Sequence, residues 1–359
     1  MGRTPSSARG PPVALFVHPR LPRDNGLMRA WLLDSLDGIE KLRLAETPPP
    51  PCAPGEVLLR LQFAALNPAD AFLAQAMYPA KPALPHVLGR DGVGEVVAVG
   101  EGVVEPRVGE TVGVLRCDAG VERWGTLAEL VAVPANSVAP VPEGWSLEEM
   151  AAAPLTFLTA WQALTQWSDP PKPPEPGSTL LVTGASGGVG VAAVLLARSM
   201  GLRVAGLSRS AEKGARLLHL GADFVFDPGD SDLRRKVATA LSPAKVDLAV
   251  DNVGGPLFNQ LVAMLGHRGR ISVVGRSGGA VPEFNTGTLF FRRNRIGGVS
   301  VGSYSRPEAQ AAWKEIVIRL RSIDRRPVID RVFAFEQVKA GFARLAESPM
   351  GKVVIRVNG

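Results

Sequence analysis

Between Met28 and about Pro154 the apolar positions recur at strand spacing. After "PPPPCAPG" the run "EVLLRLQFAAL" alternates, with Val57, Leu59, Leu61 and Phe63 on one face and Leu58, Arg60 and Gln62 on the other, which predicts a half-buried strand. "VGEVVAVG", "GETVGVL" and "GTLAELVAVP" follow at short intervals. The connector "WSDPPKPPEPG", Trp167 to Gly177, can be neither a regular helix nor a central strand, because proline lacks the backbone donor both require. Beyond it the period changes. "STLLVTG", "RVAGLS", "DFVFD", "VDLAVDNV", "RGRISVVG" and "IGGVSVG" read as apolar strands, separated by the helical segments "VGVAAVLLARSM", "AEKGARLLHL", "DLRRKVATAL" and "PLFNQLVAML". That alternation predicts a parallel sheet covered on both faces. After Ser305 come a helix in "PEAQAAWKEIVIRLR", a strand in "VIDRVFAF", a helix in "EQVKAGFARLAE" and a strand in "KVVIRV". The fold class is α/β in two domains, in keeping with a chain of 359 residues.

Composition narrows the class. With 46% hydrophobic residues, 6% aromatics and 39 glycines, the chain resembles an α/β enzyme rather than a disordered or fibrous protein. No apolar run reaches the ~18 residues of a membrane helix, so no membrane partner is expected. The formal charge is +6, but half of it falls in residues 1–27, where Arg3, Arg9, Arg20 and Arg23 face only Asp24. The rest mixes both signs and lacks basic residues interleaved with base-stacking aromatics, which argues against nucleic acid. Residues 1–27 are expected to form an extended, disordered basic leader. Its arginine-rich, acid-poor composition is shared with mitochondrial transit peptides, whereas its prolines oppose an amphipathic helix; a cytoplasmic location is expected, with the mitochondrial one left open. Cys52 and Cys117 supply neither a disulfide framework nor a CxxC pair, which fits a reducing compartment.

The candidate chemistry begins at "TLLVTGASGGVGVAAVLLA". A strand, a glycine-rich turn and a helix stand there in the order that pyrophosphate binding needs. Gly187 is expected to allow the tight turn, Gly188 to let backbone amides approach the phosphates, and Gly190 to let helix and strand pack closely. Ser186 to Val189 then line the anion at the positive end of the helix. At the end of the next strand, "VAGLSRS" supplies Ser208 and Arg209 where an acid would bind a free ribose 2′-hydroxyl. Arg209 with Lys213 can neutralise a 2′-phosphate, which favours NADPH over NADH.

A strand-rich first domain, a dinucleotide domain and a C-terminal return together resemble the medium-chain dehydrogenase/reductase superfamily over residues 28–359. The words "LNPADAFLAQAMYPAKPALPHVLGRDGVGEVVAVG", "LTFLTAWQAL", "VTGASGGVG", "DNVGG" and "GRISVVG" resemble its zinc-free quinone oxidoreductase branch. The resemblance implies a GroES-like catalytic domain over 28–154, completed by 306–359, and a Rossmann domain over 155–305. Zinc-dependent members carry a His-Glu pair where Arg90-Asp91 stand and a cysteine ligand near "LNPAD"; neither is present, and no metal is expected. The glycine-rich stretch around Gly89 to Gly100 then reads as scaffold. By resemblance Tyr78 lines the substrate cleft, as proton donor or aromatic wall, and Asn67 faces the reacting carbonyl or else satisfies a turn before Pro68. Asp70 is read as a helix cap. Thr159 falls beside the nicotinamide, and Asn252, Val253, Val274 and Gly275 fall at strand ends above the cofactor. Phe290 and Phe291 lie either near the cleft or as a buried pair. The implied activity is NADPH-dependent hydride transfer to quinones or α,β-unsaturated carbonyls by a homodimer. An acryloyl-CoA type enoyl-thioester reductase, and a non-catalytic NADPH-binding redox sensor or crystallin-like protein, are the alternatives.

Overall fold

A computed structural model describes residues 26–280 and 286–358. The basic leader, apart from Gly26 and Leu27, lies outside the described residues.

The second half of the chain builds an open, wholly parallel six-stranded sheet. Its spatial order is Phe224–Phe226, Arg203–Leu207, Thr179–Val182, Val246–Asp251, Leu265–Val273 and Arg295–Gly298. Thr179–Val182 comes first in this sequence yet sits centrally, so the direction of winding reverses between it and Val246–Asp251. The mouth of an open sheet at such a reversal is where ligands bind. Helices cover both faces. Val191 to Ala197 of helix Gly188–Ser199 lie on one side, and Leu233, Val237, Phe258, Leu261 and Val262 on the other. Because both faces are buried, the strands lose alternation and become the apolar runs seen in the sequence.

The first half forms two mainly antiparallel sheets. One joins Leu42–Thr47, Met28–Leu33 and His86–Val87. The other runs Ile329–Ala334, Lys352–Arg356, Glu56–Ala65, Asp91–Val99, Thr111–Val114 and Val138–Pro140, with Leu130–Pro134 also paired to Glu56–Ala65. The expected two-faced pattern of Glu56–Ala65 is only partly realised, since Leu58 is buried along with Val57, Leu59 and Leu61. Register shifts against Asp91–Val99 between Leu58 and Leu59 and between Leu61 and Phe63 break strict alternation. Gly94 occupies a place where a Cβ would lie 2.1 Å from the Arg60 carbonyl oxygen, so strand-to-strand contact itself requires glycine there.

The C-terminal return is divided between the two domains. Helix Arg306–Ser322 inserts Ala309, Trp313, Ile316 and Leu320 into the core that holds Leu158, Ala192 and Leu196, against helices Pro154–Thr165 and Gly188–Ser199. Only from Ile329 does the chain rejoin the antiparallel sheet.

Candidate active site

The glycine turn joins Thr179–Val182 to helix Gly188–Ser199 at the mouth of the parallel sheet. Its left-handed residue is Gly184, at φ 55°, whereas Gly187 is extended at φ −73°, which corrects the expected division of labour. A Cβ on Gly190 would stand 2.3 Å from the Gly184 carbonyl oxygen, so this glycine sets the close contact of helix and turn. A Cβ on Gly188 would meet Thr156 at 2.9 Å and the Lys352 side chain at 3.1 Å; one on Gly187 would meet only the Gly184 carbonyl oxygen, at 3.4 Å. Ser186 to Val189 stay half-buried between buried neighbours, and the first amides of the helix lack helical partners. These residues fit a bound pyrophosphate.

The remaining cofactor candidates gather around the same mouth. Asn252 donates from Nδ2 to the Thr183 carbonyl at 2.8 Å, while its buried Oδ1 has no partner among the described residues. The Val274 and Gly275 amides bond the Asp251 carbonyl at 2.8 and 3.2 Å, and Val253 bonds the Asp251 carboxylate at 3.1 Å. Thr159 donates its hydroxyl to the Leu155 carbonyl, four residues back on its helix, at 2.6 Å. Ser208 is buried, and Arg209 beside it is exposed, without a hydrogen bond or ion pair among the described residues. Lys213 instead donates to the Ser348 carbonyl, at 2.5 Å, across to the C-terminal segment.

Between glycine turn and antiparallel sheet lies a buried ionic cluster. Lys352, 4% exposed, donates to Asp91 Oδ2 at 3.1 Å, Asn67 Oδ1 at 2.6 Å and the Leu66 carbonyl at 3.0 Å. Asn67 Nδ2 donates to the same Asp91 oxygen at 2.9 Å, and the Leu155 amide donates to Asp91 Oδ1 at 3.0 Å. Gly351 carries the strand onto the glycine turn, its amide donating to the Ser186 carbonyl at 2.9 Å. The amide of Asn67 is thus spent inside the protein. Its internal partners accord with the reading that Asn67 satisfies buried groups, and the contact with a reacting carbonyl remains an expectation from the resemblance. Lys352 and Asp91 were missed as site residues, and their one signal was a charged side chain set into an apolar strand.

Tyr78 is half-buried, with the Arg90 guanidinium carbon 4.6 Å from its ring centroid. Next to it the Met77 carbonyl accepts from Arg276 Nη2 at 3.2 Å, so Tyr78 stands where the two domains meet. Phe290 and Phe291 pack edge to face but are 75% and 79% exposed, so they are not a buried pair.

Asp70 accepts the Asn67 backbone amide at 2.9 Å, as a helix-capping residue does, and its other oxygen is buried without a partner among the described residues. Burial pushes its pKa up to about 6, against the attraction of Arg90. An acid raised above its unfolded value contributes stability that is full below its unfolded pKa of 3.8 and is lost as pH rises through about 6. His86, pushed down to about 4 by burial, has the opposite slope, stabilising at neutral pH and losing that as pH falls. Comparing Asp70→Asn with the parent cancels His86. The variant is expected to match the parent near pH 4 and to be more stable by on the order of 3 kcal/mol near pH 7. Urea unfolding at each pH measures this, and a difference that does not change with pH would refute it.

A parallel sheet with a glycine turn at its winding reversal, joined through Gly351 and Lys352 to an antiparallel domain, defines a two-domain dinucleotide-dependent oxidoreductase. Residues 53–143 match the alcohol dehydrogenase GroES-like domain, and residues 188–320 match the zinc-binding dehydrogenase family. The chain is 29% identical to the quinone oxidoreductase of Rattus norvegicus, over 92% of this chain and 98% of that protein. It is 35% identical to the human synaptic vesicle membrane protein VAT-1 homolog, over 64% of this chain and 56% of that protein. Among solved structures, an NAD-dependent alcohol dehydrogenase superposes with TM-score 0.85 at 32% identity, covering 92% of this chain and all (100%) of the other. A mycobacterial protein complexed with NADPH superposes with TM-score 0.82 at 26% identity, covering 92% and 100%. The chain belongs to the medium-chain dehydrogenase/reductase superfamily, as a zinc-type alcohol dehydrogenase-like oxidoreductase with a GroES-like and a Rossmann-like domain.

The family description implies zinc, and the residues present do not fit it. Among the described residues no three His, Cys, Asp or Glu side chains converge. Asp91 is already taken by Lys352, Asn67 and Leu155, and Arg90 stands beside it in sequence, so a dication there would meet an ammonium and a guanidinium. Among the described residues no helix is long and apolar enough to cross a membrane.

Proposed function

We infer that the chain is an NADPH-dependent, zinc-independent reductase that passes hydride to quinones or α,β-unsaturated carbonyls. The observation that carries this reading is a dinucleotide turn adjoining a site where Asp91 is paired with Lys352 and Arg90 stands beside Tyr78, with no metal-ligand set among the described residues. When bound, the nicotinamide supplies the hydride. A plain ketone needs strong polarisation of its oxygen to accept one, whereas an enone or quinone spreads the arriving charge over a conjugated system. Tyr78 offers a phenol to the oxygen that becomes negative. Ser186, Gly187, Gly188 and Val189 hold the pyrophosphate, Ser208, Arg209 and Lys213 the adenosine phosphate end, and Thr159, Asn252, Val253, Val274 and Gly275 the nicotinamide end. The similarity to a quinone oxidoreductase and to an NADPH complex supports the same assignment. The exposed Phe290 and Phe291 beside the outer strand Arg295–Gly298 support the homodimer, because an uncovered sheet edge with apolar neighbours favours pairing.

NADPH oxidation followed with a quinone, a small enone, acryloyl-CoA and a long enoyl thioester tests this reading, and turnover is expected to survive a chelator. Preference for acryloyl-CoA would favour the thioester alternative, and tight NADPH binding without turnover on any acceptor the non-catalytic one. Arg209→Ala is expected to weaken NADPH by roughly 1.5 to 3 kcal/mol, the worth of a charge-assisted hydrogen bond, and NADH hardly at all. Equal losses in the two dissociation constants would remove Arg209 from phosphate recognition.

A further inference from the structure

Arg90 follows Gly89, whose φ is +99°, and precedes the buried Asp91. Its Nε and Nη2 are buried and have no hydrogen-bond partner among the described residues. Those two nitrogens form the side edge of the guanidinium, which can offer two parallel N–H donors to one anionic group. The carboxylate next to it in sequence is bonded instead to Lys352, Asn67 and the Leu155 amide, and not to these two nitrogens. Asp70 feels the charge of Arg90 but makes no bond to it, and its own free oxygen is also unsatisfied. The guanidinium carbon lies over the Tyr78 ring, 4.6 Å from its centroid, a cation–π contact that holds the group in place. Arg90 as a whole is half-buried, and leaving two of its buried donors unbonded carries a desolvation cost that an anionic group entering beside Tyr78 would relieve.

We propose that the side edge of Arg90 receives the oxygen of the acceptor that becomes an oxyanion, so that Arg90 is a catalytic residue favouring acceptors that pass through an enolate or a hydroquinone anion. This rests on the reductase reading given above. Hydride arriving at the β-carbon of an enone forms a C–H bond there, moves the C=C pair between the α-carbon and the carbonyl carbon, and moves the C=O pair onto oxygen. The enolate then takes a proton from the Tyr78 hydroxyl or from water, so the acceptor gains two electrons and two hydrogens as NADPH becomes NADP⁺. Negative charge appears on an atom that Arg90 can bond, and its attraction to a guanidinium is strengthened by burial.

The test needs no turnover. The protein saturated with NADP⁺ is titrated with 4-nitrophenol, whose phenolate absorbs distinctly, and the ionisation of the bound phenol is followed with pH. Bound to the parent protein, it is expected to ionise about one pH unit or more below its value in water, a tenfold preference for the anion. Arg90→Met is expected to abolish that preference and Arg90→Lys to restore part of it, with melting temperatures confirming that both variants fold. Failure of the phenol to bind the parent protein, or an unshifted bound ionisation there, would overturn the proposal whether or not the variants fold. So would the same shift in parent and Arg90→Met, which would leave Arg90 as a support for Tyr78. Because no acceptor is reduced, these outcomes are separate from failure of every quinone and enone in the NADPH assay, which would count against the reductase reading alone.

Discussion

Lys352→Met is expected to destabilise the protein by about 3 to 5 kcal/mol, the cost of leaving a buried charge without its counter-ion. Asp91 is fully buried, and Lys352 is its one cationic partner at ion-pair distance among the described residues. Methionine keeps much of the stem that packs on Gly188 but supplies no donor to Asp91, to Asn67 or to the Leu66 carbonyl. The loss is a large share of the ~5 to 15 kcal/mol that holds a typical domain folded. A second substitution separates charge from packing: Asp91→Asn in the Lys352→Met background removes the stranded carboxylate and should recover part of the loss. Denaturant midpoints and slopes of the two single variants and the double variant measure the coupling. Strict additivity would mean that the ion pair is not the source of the effect. The same variants should bind NADPH more weakly, because Lys352 and Gly351 brace the turn at Gly188 and Ser186 from the other domain.

Tyr78→Phe separates a proton donor from a pocket wall, since it keeps the ring on which Arg90 rests and removes only the hydroxyl. For enone or enoyl-thioester reduction the fall in kcat is expected to be on the order of 100-fold or more, the usual contribution of a placed general acid. Quinone reduction is expected to change far less, because the hydroquinone anion is stabilised by its own ring and can take its proton from water. The measurement is a pair of steady-state series with the same variant and two acceptor classes. Small, equal effects on both would leave Tyr78 as packing. An equal large fall on both, with a lowered melting temperature, would point to a structural role of the hydroxyl instead.

The succession of strands and helices was written in the order of residues, because hydrophobic period and turn composition are local properties. "TLLVTGASGGVG" specified strand, turn and helix by itself, and the apolar "VDLAVDNV" and "RGRISVVG" announced a sheet buried on both sides. Long-range approach decided the rest. A side chain on the left-handed Gly184 would meet Val253 and Asn252, which lie almost seventy residues away, a closeness the local sequence does not display. The return of helix Arg306–Ser322 to the Rossmann side depends on surface exposed by helices far earlier in the chain. Most of all, the lysine of "GKVVIRV" reads as an ordinary strand residue until Lys352 is brought to Asp91 and Asn67, 261 and 285 positions before it. Sequence thus determined the elements and the kind of cofactor site. Only the tertiary structure decided which charges face one another in the cleft, because electrostatic partners are set by distance in space and leave no periodic trace along the chain.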